Sequence, residues 1–365
     1  MVELWILLLF ILVLWTLFNC LSMPLLKDSS SEHSELVSIL IPMRNEEANV
    51  ERLMKSLQKL TYSHIEVVVL NDGSTDNTGN LLEQAKDQWD QLTVINGKEL
   101  PEGWVGKVHA CHQLSLQANG DFYLFLDADV TVHPKLVERS LAAFTPQTGL
   151  ISGFPHYPLK SVFGFMLIPM QHFLVFFHLP ILLANKTNWQ AATAAHGAFM
   201  MYRREAYIKM GGHERVKDSL VEDIHSMRAM KQSGYKATIV NNTNSLSCFM
   251  YNTSKEVWQG FSKNFFPGLG RSVLVVIALS FLYLILFFLP LPVAIIGLIQ
   301  GNLMLVVPLL LVMLIKCIID SFTRQKWWLC TFFPVTIIAT IAMLLYSTYL
   351  GISKRGFIWK GRQYR

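Results

Sequence analysis

Phe122-Tyr123-Leu124-Phe125-Leu126-Asp127-Ala128-Asp129-Val130 is the stretch on which the reading of this chain turns. Five apolar or aromatic residues in a row predict a buried strand, and two carboxylates one residue apart follow at its end. In an open α/β sheet, ligands lie outside the carboxyl ends of the strands. Carboxylate oxygens at that place suit a hard divalent cation, and such a cation suits a diphosphate. Read alone, the same stretch is also a strand end capped by solvated aspartates. The flanking sequence separates the two readings.

Upstream, Leu36 to Ile41 is a short β-rich run ending at Pro42, followed by Arg44-Asn45-Glu46-Glu47. Val50, Leu53, Met54, Leu57 and Leu60 then recur at helical spacing. Ile65 to Leu70 is nearly continuous in apolar residues, as a strand covered on both faces would be, and it ends in Asn71-Asp72-Gly73-Ser74-Thr75-Asp76. A second helical pattern (Leu81, Leu82, Ala85, Trp89) leads to a third strand, Leu92 to Ile95. This β-α-β-α-β order predicts a parallel, Rossmann-like sheet. Such a sheet delivers Arg44, Glu46, Asp72, Asp127 and Asp129 to one edge. Each has a plain alternative: Asn-Asp-Gly is a common turn, Ser74 or Asp76 can cap a helix, and Arg44 to Glu47 is an ordinary solvated helix start. Gly103 to Gln113 begins irregularly and continues as a helix carrying Lys107. Farther on, Glu222-Asp223 opens another helix, where acids favour the dipole.

The two ends of the chain are different in kind. Hydrophobic residues make up 52% of the 365 and charged residues only 16%, with the apolar ones gathered at the termini, which divides the chain into soluble and membrane parts. Residues 1–26 are expected to form an N-terminal transmembrane anchor of about one bilayer's length. It lacks the basic flank and small-residue cleavage site of a signal peptide. Lys27 to Glu35 is a polar linker, residues 36–270 the soluble domain, 272–350 a transmembrane region expected to hold three spans, and 351–365 a basic tail. Asp320 to Lys326 is expected to be a polar loop between spans. Within the soluble domain, 161–184 is apolar, broken by Pro169 and Pro180, and is read as lying in the membrane interface. A net charge of +5 is small for this length and argues against a nucleic-acid binder. The five scattered cysteines form no CxxC pair, which argues against a disulfide framework or a zinc site. The histidines lack metal-ligand spacing.

Pro42-Met43-Arg44-Asn45-Glu46-Glu47, Asn71 to Asp76, Asp127-Ala128-Asp129 and Glu222-Asp223, in that order and spacing, resemble the family-2 glycosyltransferases of GT-A fold. The resemblance covers about Leu36 to Phe266. It implies an inverting transferase in which Asp72 contacts the nucleotide base, Asp127 the ribose side, Asp129 a Mg²⁺ or Mn²⁺ ion, and Asp223 is the catalytic base. Arg44, Glu46 and Lys107 would lie near the nucleotide. Many processive members carry Gln-x-x-Arg-Trp after the base; here Gln259-Gly260-Phe261-Ser262-Lys263-Asn264 puts Lys for Arg, a point charge without the fork, and favours transfer of a single sugar. Gly103-Trp104-x-Gly106-Lys107-x-His109-Ala110-Cys111 and Trp359-Lys360-Gly361-Arg362-Gln363-Tyr364 are similar to bacterial carotenoid glycosyltransferases that glucosylate diaponeurosporenoate. That likeness implies UDP-glucose as donor, a carotenoid acid as the lipid acceptor, and a multi-pass cell-membrane protein with its catalytic domain in the cytoplasm. A hydroxyl lipid (ceramide, diacylglycerol or polyprenyl phosphate) is the rival acceptor. A non-catalytic membrane scaffold is the rival class, disfavoured by the intact Asp127, Asp129 and Asp223.

Overall fold

The structure is a computed structural model describing residues 2–29, 33–353, 357–359 and 362–364. It divides into two compact units: one comprises residues 23–156 and 180–249, the other 1–22, 157–179 and 250–365.

The first unit is built on a seven-stranded sheet. Its strands in chain order are β1 (Val37–Met43), β2 (Ile65–Asn71), β3 (Leu92–Asn96), β4 (Phe122–Leu126), β6 (Thr148–Phe154), β7 (Phe199–Arg203) and β8 (Lys236–Asn241); β5 (Val130–Val132) and β9 (Leu246–Cys248) pair apart from it. The spatial order is β3-β2-β1-β4-β7-β6-β8. β3, β2, β1 and β4 are parallel, as the alternation of strand and helix predicts. All five residues of β4 are buried, so the apolar run serves both faces of the sheet. β7 departs from the parallel expectation, running antiparallel to both β4 and β6. The sheet is therefore mixed, and the chain before β7 arrives at the same edge as the carboxyl end of β4.

The loops after β1 and β2 are tied to each other. Asn45 N donates to Ser74 Oγ (3.0 Å), Glu46 N to Thr78 Oγ1 (2.8 Å), Glu47 N to Asp76 Oδ2 (3.2 Å), and Thr75 N to Asn45 Oδ1 (2.8 Å). Asn45 at φ 53° and Gly73 at φ 64° take the left-handed turns that make this possible. The turn reading of Asn71 to Ser74 holds, with Ser74 N donating to Asn71 Oδ1 (3.1 Å), whereas the helix N-caps are Glu46 and Asn77, and neither makes a side-chain cap bond. The contacts between the two loops hold them at one edge.

The second unit is helical. Among the described residues, four helices are long and apolar enough to cross a membrane: Val2–Ser22, Val273–Gln300, Leu303–Phe322 and Trp327–Ile352. The last three lie in the region expected to hold three spans, and the expected polar loop does not begin at Asp320. Helix continues to Phe322, and buried Lys316 donates to Asp320 one turn on. Pairing at i,i+4 neutralises both charges inside an apolar helix, where either alone would be costly. Residues 162–178 form short apolar helices, the last turn π-helical. Their aromatic face is buried: Phe173 packs on Phe333 (5.0 Å between centroids) and Phe177 on Phe287 (5.3 Å). Carbonyls loosened by the π turn are taken by Trp15 Nε1, which bonds Phe177 O (2.7 Å), and by Asn19, which bonds Phe176 O and Leu179 O. In the tail, Phe357–Trp359 pairs antiparallel with Arg362–Tyr364. Lys354, Arg355, Lys360 and Arg365 lie outside the described residues.

Candidate active site

Lys107 is the hinge of the site. It stands in the first turn of the helix Gly106–Gln117, which begins where Val105 N is held by Lys217 O (2.7 Å). Its ammonium is 2.7 Å from Asp127 Oδ1 and 3.0 Å from Glu222 Oε1. One cation therefore joins the end of β4 to the start of the helix Glu222–Gln232, about a hundred residues apart in sequence but adjacent in space. Gly197 closes over this pair: a Cβ there would lie 2.9 Å from Lys107 Nζ, 3.5 Å from Glu222 Oε1 and 3.9 Å from Asp223 Oδ2. The segment just before antiparallel β7 thus lies against three charged side chains, and a side chain at 197 would displace the Lys107 ammonium from its place. Lys107, Asp127, Gly197, His213 and Glu222 line one small cavity.

Asp223 stands half-buried beside this cluster, with Ile224 N donating to its Oδ1 (2.8 Å). Burial, and next the neighbouring Glu222 carboxylate, push its carboxyl up to about 7; Ile224 N–H and Lys107 oppose the rise without cancelling it. His196 and His213 are buried nearby and burial holds both well below the usual imidazole range, at about 4 and about 3. His213 is locked by Tyr207 Oη (2.7 Å from Nδ1) and packs on Phe125 of β4 (4.7 Å). Both imidazoles are neutral fillers beneath the charged groups.

Asp72 is buried at the end of β2, with its N–H donating to Met43 O (2.8 Å). The Arg44 guanidinium closes over this turn, donating to the carbonyls of Asp72 and Gly73. Glu46 precedes the helix Glu47–Leu57 and accepts from Asn49 Nδ2 (2.6 Å). Asp129 leads into β5 and is contacted from β9, where Cys248 Sγ lies 3.4 Å from its Oδ1. Among the described residues, no three His, Cys, Asp or Glu side chains cluster into a self-sufficient metal cage. A hard cation that keeps water and phosphate oxygens in its shell needs only one or two protein carboxylates, and Asp129 fits that role. The Glu222 contact with Lys107, the close approach of Gly197, and Cys248 were not foreseen from sequence as parts of the site.

Acidic strand ends, a bridging lysine and a raised carboxyl at a helix start thus stand at one edge of a mixed sheet. Residues 38–211 match the family model "Glycosyl transferase family 2", and the chain carries a glycosyltransferase domain of that family. It is related to proteins named 4,4'-diaponeurosporenoate glycosyltransferase. One, from Staphylococcus haemolyticus, is 23% identical over 251 residues, covering 66% of this chain and 64% of the relative. Another, from Staphylococcus aureus, is 28% identical over 265 residues, covering 71% of this chain and 68% of the relative. The match to the first thus spans somewhat less than two thirds of that relative's length. The fold is similar to a mannosyltransferase from Pyrobaculum calidifontis solved with GDP-Man and Mn²⁺: TM-score 0.56, 16% identity, 97% of this chain and 100% of the other covered. The fold is GT-A.

Proposed function

We propose that this chain is a membrane-bound inverting glycosyltransferase that moves one glucose from UDP-glucose to the carboxylate of a carotenoid acid such as diaponeurosporenoate. The names of its relatives support the acceptor class. The observation that carries the reading is the Lys107 bridge between Asp127 and Glu222, with Asp223 raised beside it. It supports a donor side at β4 and an acceptor side at the helix Glu222–Gln232, sharing one cation between them.

In this reading Asp72 receives the base, Asp127 the ribose side, and Arg44, Glu46 and Lys107 surround the nucleotide. Asp129 with the diphosphate oxygens would hold Mg²⁺ or Mn²⁺, which supplies neutralisation of charge developing on the leaving diphosphate. The acceptor oxygen attacks the anomeric carbon, the bond to the β-phosphate oxygen breaks, and UDP leaves with both electrons. A carboxylic acid acceptor is already ionised near neutral pH, by analogy with carboxyl groups of pKa about 4, so it has no proton to lose. Asp223, protonated below about 7, is then a hydrogen-bond donor that holds an anionic acceptor. The same raised pKa also favours a second reading, a hydroxyl lipid whose proton Asp223 would accept, since a base works best near the operating pH.

Four helices long enough to span a bilayer support a multi-pass membrane protein, with the catalytic domain proposed to face the cytoplasm. A screen of nucleotide sugars against lipid acceptors, on membranes holding the wild type or Asp129→Ala, tests the proposal by mass spectrometry of extracted lipids. The expected product is a hexosyl ester of the carotenoid acid, made by the wild type alone. A hexosylated hydroxyl lipid would discard the acceptor, and no product from any donor would discard the activity.

A further inference from the structure

Asp129 is gripped from a side that the nucleotide does not explain. β5 pairs antiparallel with β9, placing Val130 opposite Cys248. The ladder brings in a residue 119 positions away, and the Cys248 thiol donates to Asp129 Oδ1 at 3.4 Å. The next residue, Phe249, donates its N–H to the Asp129 carbonyl at 2.8 Å. Two consecutive residues therefore hold one aspartate by side chain and backbone. Phe249 is itself clamped: the Arg52 guanidinium lies 4.0 Å from its ring centroid. Arg52 donates to Asn49 Oδ1 (2.5 Å), and Asn49 donates to Glu46 Oε2 (2.6 Å). One chain of contacts runs from Glu46 to Asp129. Cys248 is 2% exposed, which suits a donor and not a nucleophile.

We infer that Cys248 is a positioning residue: its S–H keeps the Asp129 carboxylate in one orientation toward a divalent cation, and Arg52 and Phe249 hold the clasp shut. This rests on the reading of Asp129 as the cation ligand. Groups that orient a metal ligand through a hydrogen bond commonly change metal affinity by about 10- to 100-fold. A thiol is a weak donor, which places Cys248 at the lower end of that range.

The test uses the full chain in detergent with UDP, titrated with Mn²⁺, reading free Mn²⁺ by electron paramagnetic resonance and metal-free UDP binding by calorimetry. The wild type should take up Mn²⁺ in a UDP-dependent way and Asp129→Ala should not. If the wild type does not, the reading of Asp129 fails and this inference with it. Given that uptake, Cys248→Ala should bind Mn²⁺ about 10-fold more weakly and Cys248→Ser within about threefold of wild type, since a hydroxyl also donates. Metal-free UDP affinity should be unchanged in both. Cys248→Ala equal to wild type overturns the inference. So does Cys248→Ser as weak as Cys248→Ala, because the sulfur itself would then be what matters. Arg52→Met leaves the thiol in place and unclamps Phe249; about a threefold loss is expected. No loss there, if Cys248→Ala does not fold, overturns the inference as well.

Discussion

Asp223 is the residue at which the two acceptor readings part. Burial and Glu222 raise its carboxyl to about 7. With an anionic acceptor the protonated form works, so at saturating donor and metal the rate should fall as pH rises through about 7. With a hydroxyl acceptor the carboxylate works, and the rate should rise through the same range. Asp223→Asn keeps an N–H donor. With a carotenoid acid it should therefore retain activity within about tenfold of wild type and lose the titration near neutrality, whereas loss of a general base costs about 10²- to 10⁴-fold. A drop of that larger size with the folded, UDP-binding variant would contradict the donor role. The same shift bears on stability. A carboxyl whose folded pKa lies above its unfolded value favours the native state when protonated, and that advantage is lost as pH rises through about 7. Asp223→Asn should accordingly raise Tm more at pH 8 than at pH 4, measured by thermal unfolding in detergent.

At the level of elements, the helix Ser254–Gly268 carries the Gln259 to Asn264 segment that departs from the processive pattern. Ser347 of the helix Phe333–Ile352 bonds both Ser262 O (2.5 Å) and Phe266 N (3.0 Å), the two groups an unbroken helix pairs with each other. Pro267 follows directly, with no N–H of its own to give the ladder. Ser347→Ala should destabilise the protein by about 1–3 kcal/mol if the two groups stay buried and unpaired, read as a lower Tm; an unchanged Tm would mean the helix recloses its own bond. Nothing in the local sequence announces this contact, because it joins residues 85 positions apart. The parallel half of the sheet was legible for the opposite reason. Each of β1, β2 and β4 is an apolar run with its polar group immediately at the end, so the edge follows from local pattern. β5 and β9 have three residues each and no periodicity to read. Cys248 therefore carries no local signal of its role. Gly197 carries none either, since its neighbours are set by antiparallel β7. The Asp320 boundary was missed because two opposite charges one helical turn apart read as a loop and pack as a pair.

The whole molecule comprises a family-2 GT-A unit and a helical unit, with four candidate spans among the described residues. Apolar surface of that extent should keep the protein in the membrane pellet after alkaline carbonate washing and release it only with detergent, as immunoblotting of the fractions would show. Transfer of one sugar, with inversion, onto a carboxylate is read from the bond in the product. Purified full-length protein given α-linked UDP-glucose and a carotenoid acid should yield a β-glucosyl ester by NMR, released by mild base, and Asp129→Ala should yield none. An α-linked product, a base-stable glycoside, or no transfer to the acid at all would contradict the account.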